Sequence, residues 1–104
     1  MRKFVYGEKR PTITPADIQT ALTVSRKDKR KDEYYSKAPS GARLHIALLF
    51  YGNVFKDTLD QTAYLRAIDD VEGELKERDL LYLMRYEEEP ELRQHWRRMA
   101  EKVR

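Results

Sequence analysis

The chain has 104 residues, 40% of them hydrophobic and 38% charged, with a formal net charge of +3. That is one domain's worth of sequence, with a modest core under long solvated helical faces. There is no cysteine, which excludes disulfide scaffolds, cysteine zinc sites, thiol catalysis and iron–sulfur ligation.

No apolar run approaches the roughly 20 residues of a membrane span. The start, MRKFVYGEKRP, is basic but has no apolar stretch of the signal-peptide kind. A soluble cytoplasmic protein is expected. Residues 1–56 carry 12 Lys/Arg against 5 Asp/Glu, and residues 57–91 carry 4 against 12. Residues 92–104 carry 5 against 1. Blocks of opposite sign either pair within the fold or present surfaces of opposite sign to partners.

Residues 3–6 (KFVY) and Thr12-Ile13-Thr14 favour extended backbone, so 1–13 is expected as an extended arm or a short hairpin. Pro11 would confine such a hairpin to an edge. Thr14 is a good N-cap, and Pro15 suits the first helical position because its missing N–H is not needed there. Asp17 adds negative charge near the positive helix end. Ile18, Ala21 and Leu22 share a face, and the helix is expected to run to about Val24. SRKDKRKDE (25–33) has no apolar residue and reads as an exposed helical continuation or a loop. With Tyr34, Tyr35 and SKAPSG (36–41), the stretch 25–41 is expected as a basic loop or linker.

Residues 42–51 (ARLHIALLFY) are the most apolar stretch. Alanine and leucine with few β-branched residues favour a buried helix, although the alternation of Leu44, Ile46, Leu48 and Phe50 also fits a buried strand. Ser40 could cap this helix and Gly52 could end it. Residues 57–77 read as a helix capped by Asp57, with Asp60 in its first turn. Its stripe is Tyr64, Ile68, Val71 and Leu75. Gly73 weakens it by roughly 1 kcal/mol relative to Ala. Continuing the stripe would put Asp79 inside it, so a break near 77–79 is expected, with Asp79 capping a short helix to about Tyr86. Pro90 opens a last helix in which Leu92, Trp96, Met99 and Val103 form a stripe and arginines and lysines take other positions. The Tyr64–Leu75 stripe is expected to pack against 42–51 and the last helix.

The residues offer little to catalysis. His45 and His95 are 50 residues apart and form no helical metal pair. His45 reads as a core or core-edge histidine and Glu91–His95 as a surface pair. Asp69, Asp70, Glu72 and Glu74 read as a solvated face, since adjacent helical residues point apart. There is no G-x-S-x-G, Walker A or G-x-G-x-x-G pattern. No catalytic set, metal or cofactor is expected, and no small-molecule substrate is evident.

The fragment IQTALTVSR (18–26) resembles the first helix and turn of a bacterial helix-turn-helix. That resemblance implies inward packing by Ile18 and Ala21 and a recognition helix capped by Ser25. Thr23 stands where the family favours Gly, and Lys29 stands where an apolar residue holds the recognition helix down. The nine-residue likeness is therefore read as chance.

Arg26, Lys27, Lys29, Arg30 and Lys31 form a basic run followed by Tyr34 and Tyr35. Such cations neutralise phosphates, and exposed tyrosines stack on unpaired bases. The opposing reading is a solvated segment diluted by Asp28, Asp32 and Glu33, its tyrosines docked on the core. Trp96 is either core or the anchor of a helix laid on a partner. The expected whole is a mainly α bundle of four or five helices. Its expected role is that of a non-enzymatic nucleic-acid-associated accessory protein binding DNA or RNA. The run 26–31 with Tyr34 and Tyr35, joined by Arg97, Arg98 and Lys102, would make the contact. The alternative is a protein-interaction adaptor, as a homodimer or with another protein. It would use the acidic helical face with Tyr82, Met84 and Trp96. Neither role involves a membrane.

Overall fold

The computed structural model describes residues 12–104 and contains six helices within them. In chain order these are α1 (Pro15–Ser25), α2 (Lys29–Ser36), α3 (Ser40–Val54), α4 (Gln61–Glu72), α5 (Glu77–Tyr86) and α6 (Pro90–Val103). The fold is mainly helical, as expected, but with six helices instead of four or five. The extra one is α2, inside the stretch 25–41 expected as loop or linker. The hairpin or arm over 1–13 lies outside the described residues except for Thr12 and Ile13. Ile13 packs, partly buried, against the core.

Local chemistry sets most helix starts. The Thr14 hydroxyl accepts from the Asp17 N–H at 3.2 Å and Pro15 opens α1. A carboxylate oxygen of Asp28 accepts from the Arg30 and Lys31 amides at 2.9 and 3.3 Å, so α2 begins where a cap is available despite its polarity. Asp60, not Asp57, caps α4 by accepting from Ala63 N–H at 3.0 Å. The helix expected over 57–77 is accordingly shorter at both ends and stops at Gly73. Pro90 opens α6 as expected.

The apolar segment 42–51 is helical, and α3 extends beyond it on both sides. Pro39 is the N-cap, and Ser40 is the first helical residue. Gly52 lies within α3 and does not end it; the Tyr64 ring lies across it, and a Cβ there would come within 2.6 Å of the ring carbon bearing the hydroxyl. That hydroxyl donates to the Leu48 carbonyl at 2.9 Å, fixing α4 on α3.

Helix α3 is the hub, packing against α1, α2, α4 and α5, while α5 and α6 form an antiparallel-type pair joined by the short segment 87–89. The core holds Ala21, Ala42, Ile46, Tyr51, Leu80, Leu83, Trp96 and Ala100. Alanines at crossings let helix backbones approach, and full burial of Ile46 or Leu80 contributes roughly 1.5–3 kcal/mol each. The α4 stripe packs on α3. Helix α4 reaches α6 where His95 Nε2 lies 3.2 Å from the Glu72 carboxylate, not over the packed face expected from the stripe.

Asp79 is 2% exposed and lies in the first turn of α5, two residues past the helix start, not at the cap position expected for it. Its two oxygens accept from Ala42 N–H of α3 at 3.2 Å and from Lys76 N–H at 2.9 Å. One carboxylate therefore satisfies donors at the starts of two helices. Gly41 makes this approach possible: a Cβ there would lie 2.7 Å from the Asp79 carboxyl carbon.

Candidate interaction surface

The basic run divides into two parts. Arg26 is taken up by the fold. Its Nε donates to Asp32, and its guanidinium lies 5.0 Å from the Tyr35 ring centre. Arg43 approaches the same ring at 5.9 Å and donates to the Ala38 and Ser36 carbonyls at 3.0 and 3.1 Å. Tyr35 also meets Phe50, with ring centres 6.3 Å apart. Tyr35 is thus a clamp for α2 and the α2–α3 turn, not a free stacking platform.

Lys27, Lys29, Arg30 and Lys31 are exposed and form no ion pair with any described residue. Asp28 caps α2, Asp32 pairs with Arg26 and Glu33 pairs with Lys37 at 3.6 Å, so none of these acids is ion-paired to the four cations. On α6, Arg97, Arg98 and Lys102 are likewise exposed without an ion pair among the described residues. The acidic block claims Arg104, which donates to Glu77 at 2.9 Å. Arg93 instead donates to the Glu87 carbonyl at 2.6 and 3.1 Å, closing the turn before α6.

Tyr34 faces away from Tyr35 into a groove of about 780 Å³ between α2 and the α5–α6 corner. Its carbonyl accepts from the Tyr82 hydroxyl at 2.6 Å, and the two rings stack with centres 5.7 Å apart. Tyr86 closes the cluster, 4.7 Å from Tyr82 and 5.8 Å from Tyr34. Burial, with neighbouring Tyr82 and Glu87, pushes the Tyr34 hydroxyl up to about 12, so it stays a neutral donor at ordinary pH. Arg30, Lys31 and Lys37 line one wall together with Asp28 and Glu33, the latter paired with Lys37 at 3.6 Å, and Glu87, Glu88 and Glu89 line the other. Leu49 of α3 lies between them.

A second polar cluster ties three helices together. The Glu72 carboxylate of α4 bridges His45 of α3 at 3.4 Å and His95 of α6 at 3.2 Å. His45 stands edge-on to the Trp96 ring at 5.1 Å, and Trp96 Nε1 donates to Glu87 at 3.4 Å. Desolvation lowers the His45 pKa from its ordinary value, against the opposing pull of Glu72. His45 Nδ1 is buried without a hydrogen-bond partner. With Nε2–H donating to Glu72, Nδ1 is an acceptor left bare, and protonating it would bury an unmatched donor. Among the described residues, no group of three or more His, Asp or Glu is arranged to hold a metal ion.

No protein-family model, curated protein or solved structure matches the chain.

The structure brings Tyr34 and Tyr82 together but gives Trp96 wholly to the core at 3% exposure, so it presents no anchor on the surface. Met84 is half-buried against the core as well. Ser25 is buried in α1, and Asp28 rather than Ser25 caps the second helix, unlike the helix-turn-helix arrangement. Sequence reasoning missed the groove's acidic wall, Tyr86 and Leu49. The run Glu87-Glu88-Glu89 before Pro90 is the signal the sequence offers for that wall. Glu72 is not on the solvated face expected for Asp69, Asp70, Glu72 and Glu74, and nothing in its local spacing marks it as the one of the four that turns inward. No helix among the described residues is long and apolar enough to cross a membrane.

Proposed function

We propose that the protein is a non-enzymatic accessory protein that binds nucleic acid through its phosphates, using the start of α2 and the turn before it. The observation that carries this reading is the exposure of Lys27, Lys29, Arg30 and Lys31 without a described counter-ion. Residues 29, 30 and 31 are successive on a helix, so their side chains fan over a wide arc. A fan of cations suits a polyanionic backbone and offers no matched pair of donors to a base edge. The tyrosines beside the run contribute by fixing α2, since Tyr35 is clamped by two arginines and Tyr34 is stacked on Tyr82. Binding is then insensitive to sequence, and stacking gives single strands no advantage over duplex. Arg97, Arg98 and Lys102 on α6 form a second cationic stretch of the same kind.

The test is fluorescence anisotropy with a generic labelled DNA duplex over a salt series. Four phosphate contacts give a slope of log affinity against log salt near −3.6. Replacing Lys27, Lys29, Arg30 and Lys31 by Ala removes most of that slope. Absence of binding at low salt, or an unchanged curve for the quadruple variant, overturns the reading.

A further inference from the structure

The groove between α2 and the α5–α6 corner has chemistry unlike that of a phosphate site. The α2 wall carries Arg30 and Lys31, which have no ion pair among the described residues, beside the Lys37–Glu33 pair and the capping Asp28, and the facing wall carries Glu87, Glu88 and Glu89 with no cation. A nucleic acid is negative along its whole length and would be repelled by the second wall. The floor is apolar and aromatic. Leu49 and Tyr86 remain 44% and 48% exposed there, although both are large. Tyr34 and Tyr82 are held in place by their hydroxyl–carbonyl bond and ring stack. A floor ordered before binding lowers the ordering cost a partner must overcome, and tyrosines are favoured anchors at protein interfaces.

We propose that this groove docks an amphipathic helix of another protein, one with an apolar stripe flanked by acidic residues on one edge and basic residues on the other. The apolar stripe covers Leu49, Tyr86 and the exposed edges of Tyr34 and Tyr82. The acidic edge faces Arg30 and Lys31, the two cations of that wall without an ion pair among the described residues, and the basic edge faces Glu88 and Glu89. Charge complementarity across both walls sets the chemistry of the occupant, and a segment with flanks of one sign satisfies one wall while opposing the other. The groove runs beside helices, so the incoming helix completes a three-sided packing of the helix-in-groove kind. This inference does not depend on phosphate binding, although Arg30 and Lys31 border both surfaces.

The experiment uses the full chain and three labelled synthetic helices of about 16 residues sharing one leucine stripe. Their flanks are Glu on one side with Lys on the other, Glu on both sides, or Lys on both sides. The mixed-flank peptide is expected to bind at least about tenfold more tightly than either single-sign peptide. Tyr86→Ala and Leu49→Ala, both at exposed positions, are each expected to weaken it by about tenfold while the far-ultraviolet circular dichroism stays unchanged. Glu88→Lys combined with Glu89→Lys weakens the mixed peptide and strengthens duplex DNA. These opposite responses separate the groove from the phosphate surface. The proposal is overturned if the mixed peptide does not bind or if the all-Glu peptide binds as well as the mixed one. It also fails if the double lysine variant leaves the mixed peptide's affinity unchanged.

Discussion

Replacing Gly41 by Ala tests how far the fold depends on the shared carboxylate of Asp79. The added methyl would sit 2.7 Å from the carboxyl carbon and 3.0 Å from Oδ1, closer than any relaxed contact. The carboxylate cannot swing away freely, because it is buried and holds the Ala42 and Lys76 amides. Hydrogen bonds to a charged group contribute about 1.5–3 kcal/mol each, and both are strained or lost when Asp79 is displaced. Better helix propensity of Ala over Gly returns at most about 1 kcal/mol. The expected net loss for Gly41→Ala is about 2–4 kcal/mol, a large part of the stability of a small domain. Asp79→Ala loses the same two bonds and should cost about as much. In the double variant the methyl occupies space the carboxylate has vacated, so the two losses do not add. Urea unfolding followed by Trp96 fluorescence and far-ultraviolet circular dichroism gives the cycle. The coupling should exceed about 1 kcal/mol, within the range for residues in contact. Strict additivity, or a Gly41→Ala variant as stable as the parent, refutes this account of Gly41.

Burial lowers the His45 pKa, so the unfolded chain takes up a proton near the ordinary value of about 6.5 while the folded chain stays neutral to lower pH. Stability from this residue is therefore present above about 6.5 and lost as pH falls toward the folded value. The urea midpoint should fall between pH 7 and pH 5, and His45→Gln should flatten that fall; an equally steep slope in the variant contradicts the assignment. Glu72→Ala removes both histidine contacts and should destabilise by about 1–3 kcal/mol, whereas Glu74→Ala on the exposed face should stay within about 0.5 kcal/mol. Equal effects at 72 and 74 would show that the bridge contributes nothing. Tyr82→Phe removes the 2.6 Å bond to Tyr34 and should cost about 1 kcal/mol, with faster amide exchange confined to α2. Unchanged α2 exchange would mean that the tyrosine stack alone holds that helix.

The parts legible in the sequence are those decided within one turn of chain. Thr14-Pro15 and Pro90 mark helix starts by their own backbone chemistry, and the middle of the Leu92–Val103 stripe marks the face that buries Trp96 and Met99, while Leu92 and Val103 at its ends stay exposed. The parts that were not legible depend on residues far apart in the chain. Gly52 reads as a helix stop until Tyr64 is seen lying over it. Asp79 reads as an ordinary cap until Ala42, 37 residues away, is found donating to it. The start of α2 was hidden because a segment without apolar residues gives no periodic signal, and Asp28 alone marks its start. Among the cations, Arg26 differs from Lys27 only in reaching Asp32 and Tyr35, which no composition of the segment shows. The groove was illegible for the same reason: its walls come from α2 and from the corner after α5.

Helix α4 has no fully buried residue, and it is pinned at one end by the Tyr64 hydroxyl and at the other by Glu72. Segments with few buried contacts open at lower free energy than the body that carries them. Amide hydrogens of this helix are therefore expected to exchange faster than those of α3, α5 and α6. Each such opening would bare the Leu48 carbonyl and the Glu72-facing edge of the His45 ring to water.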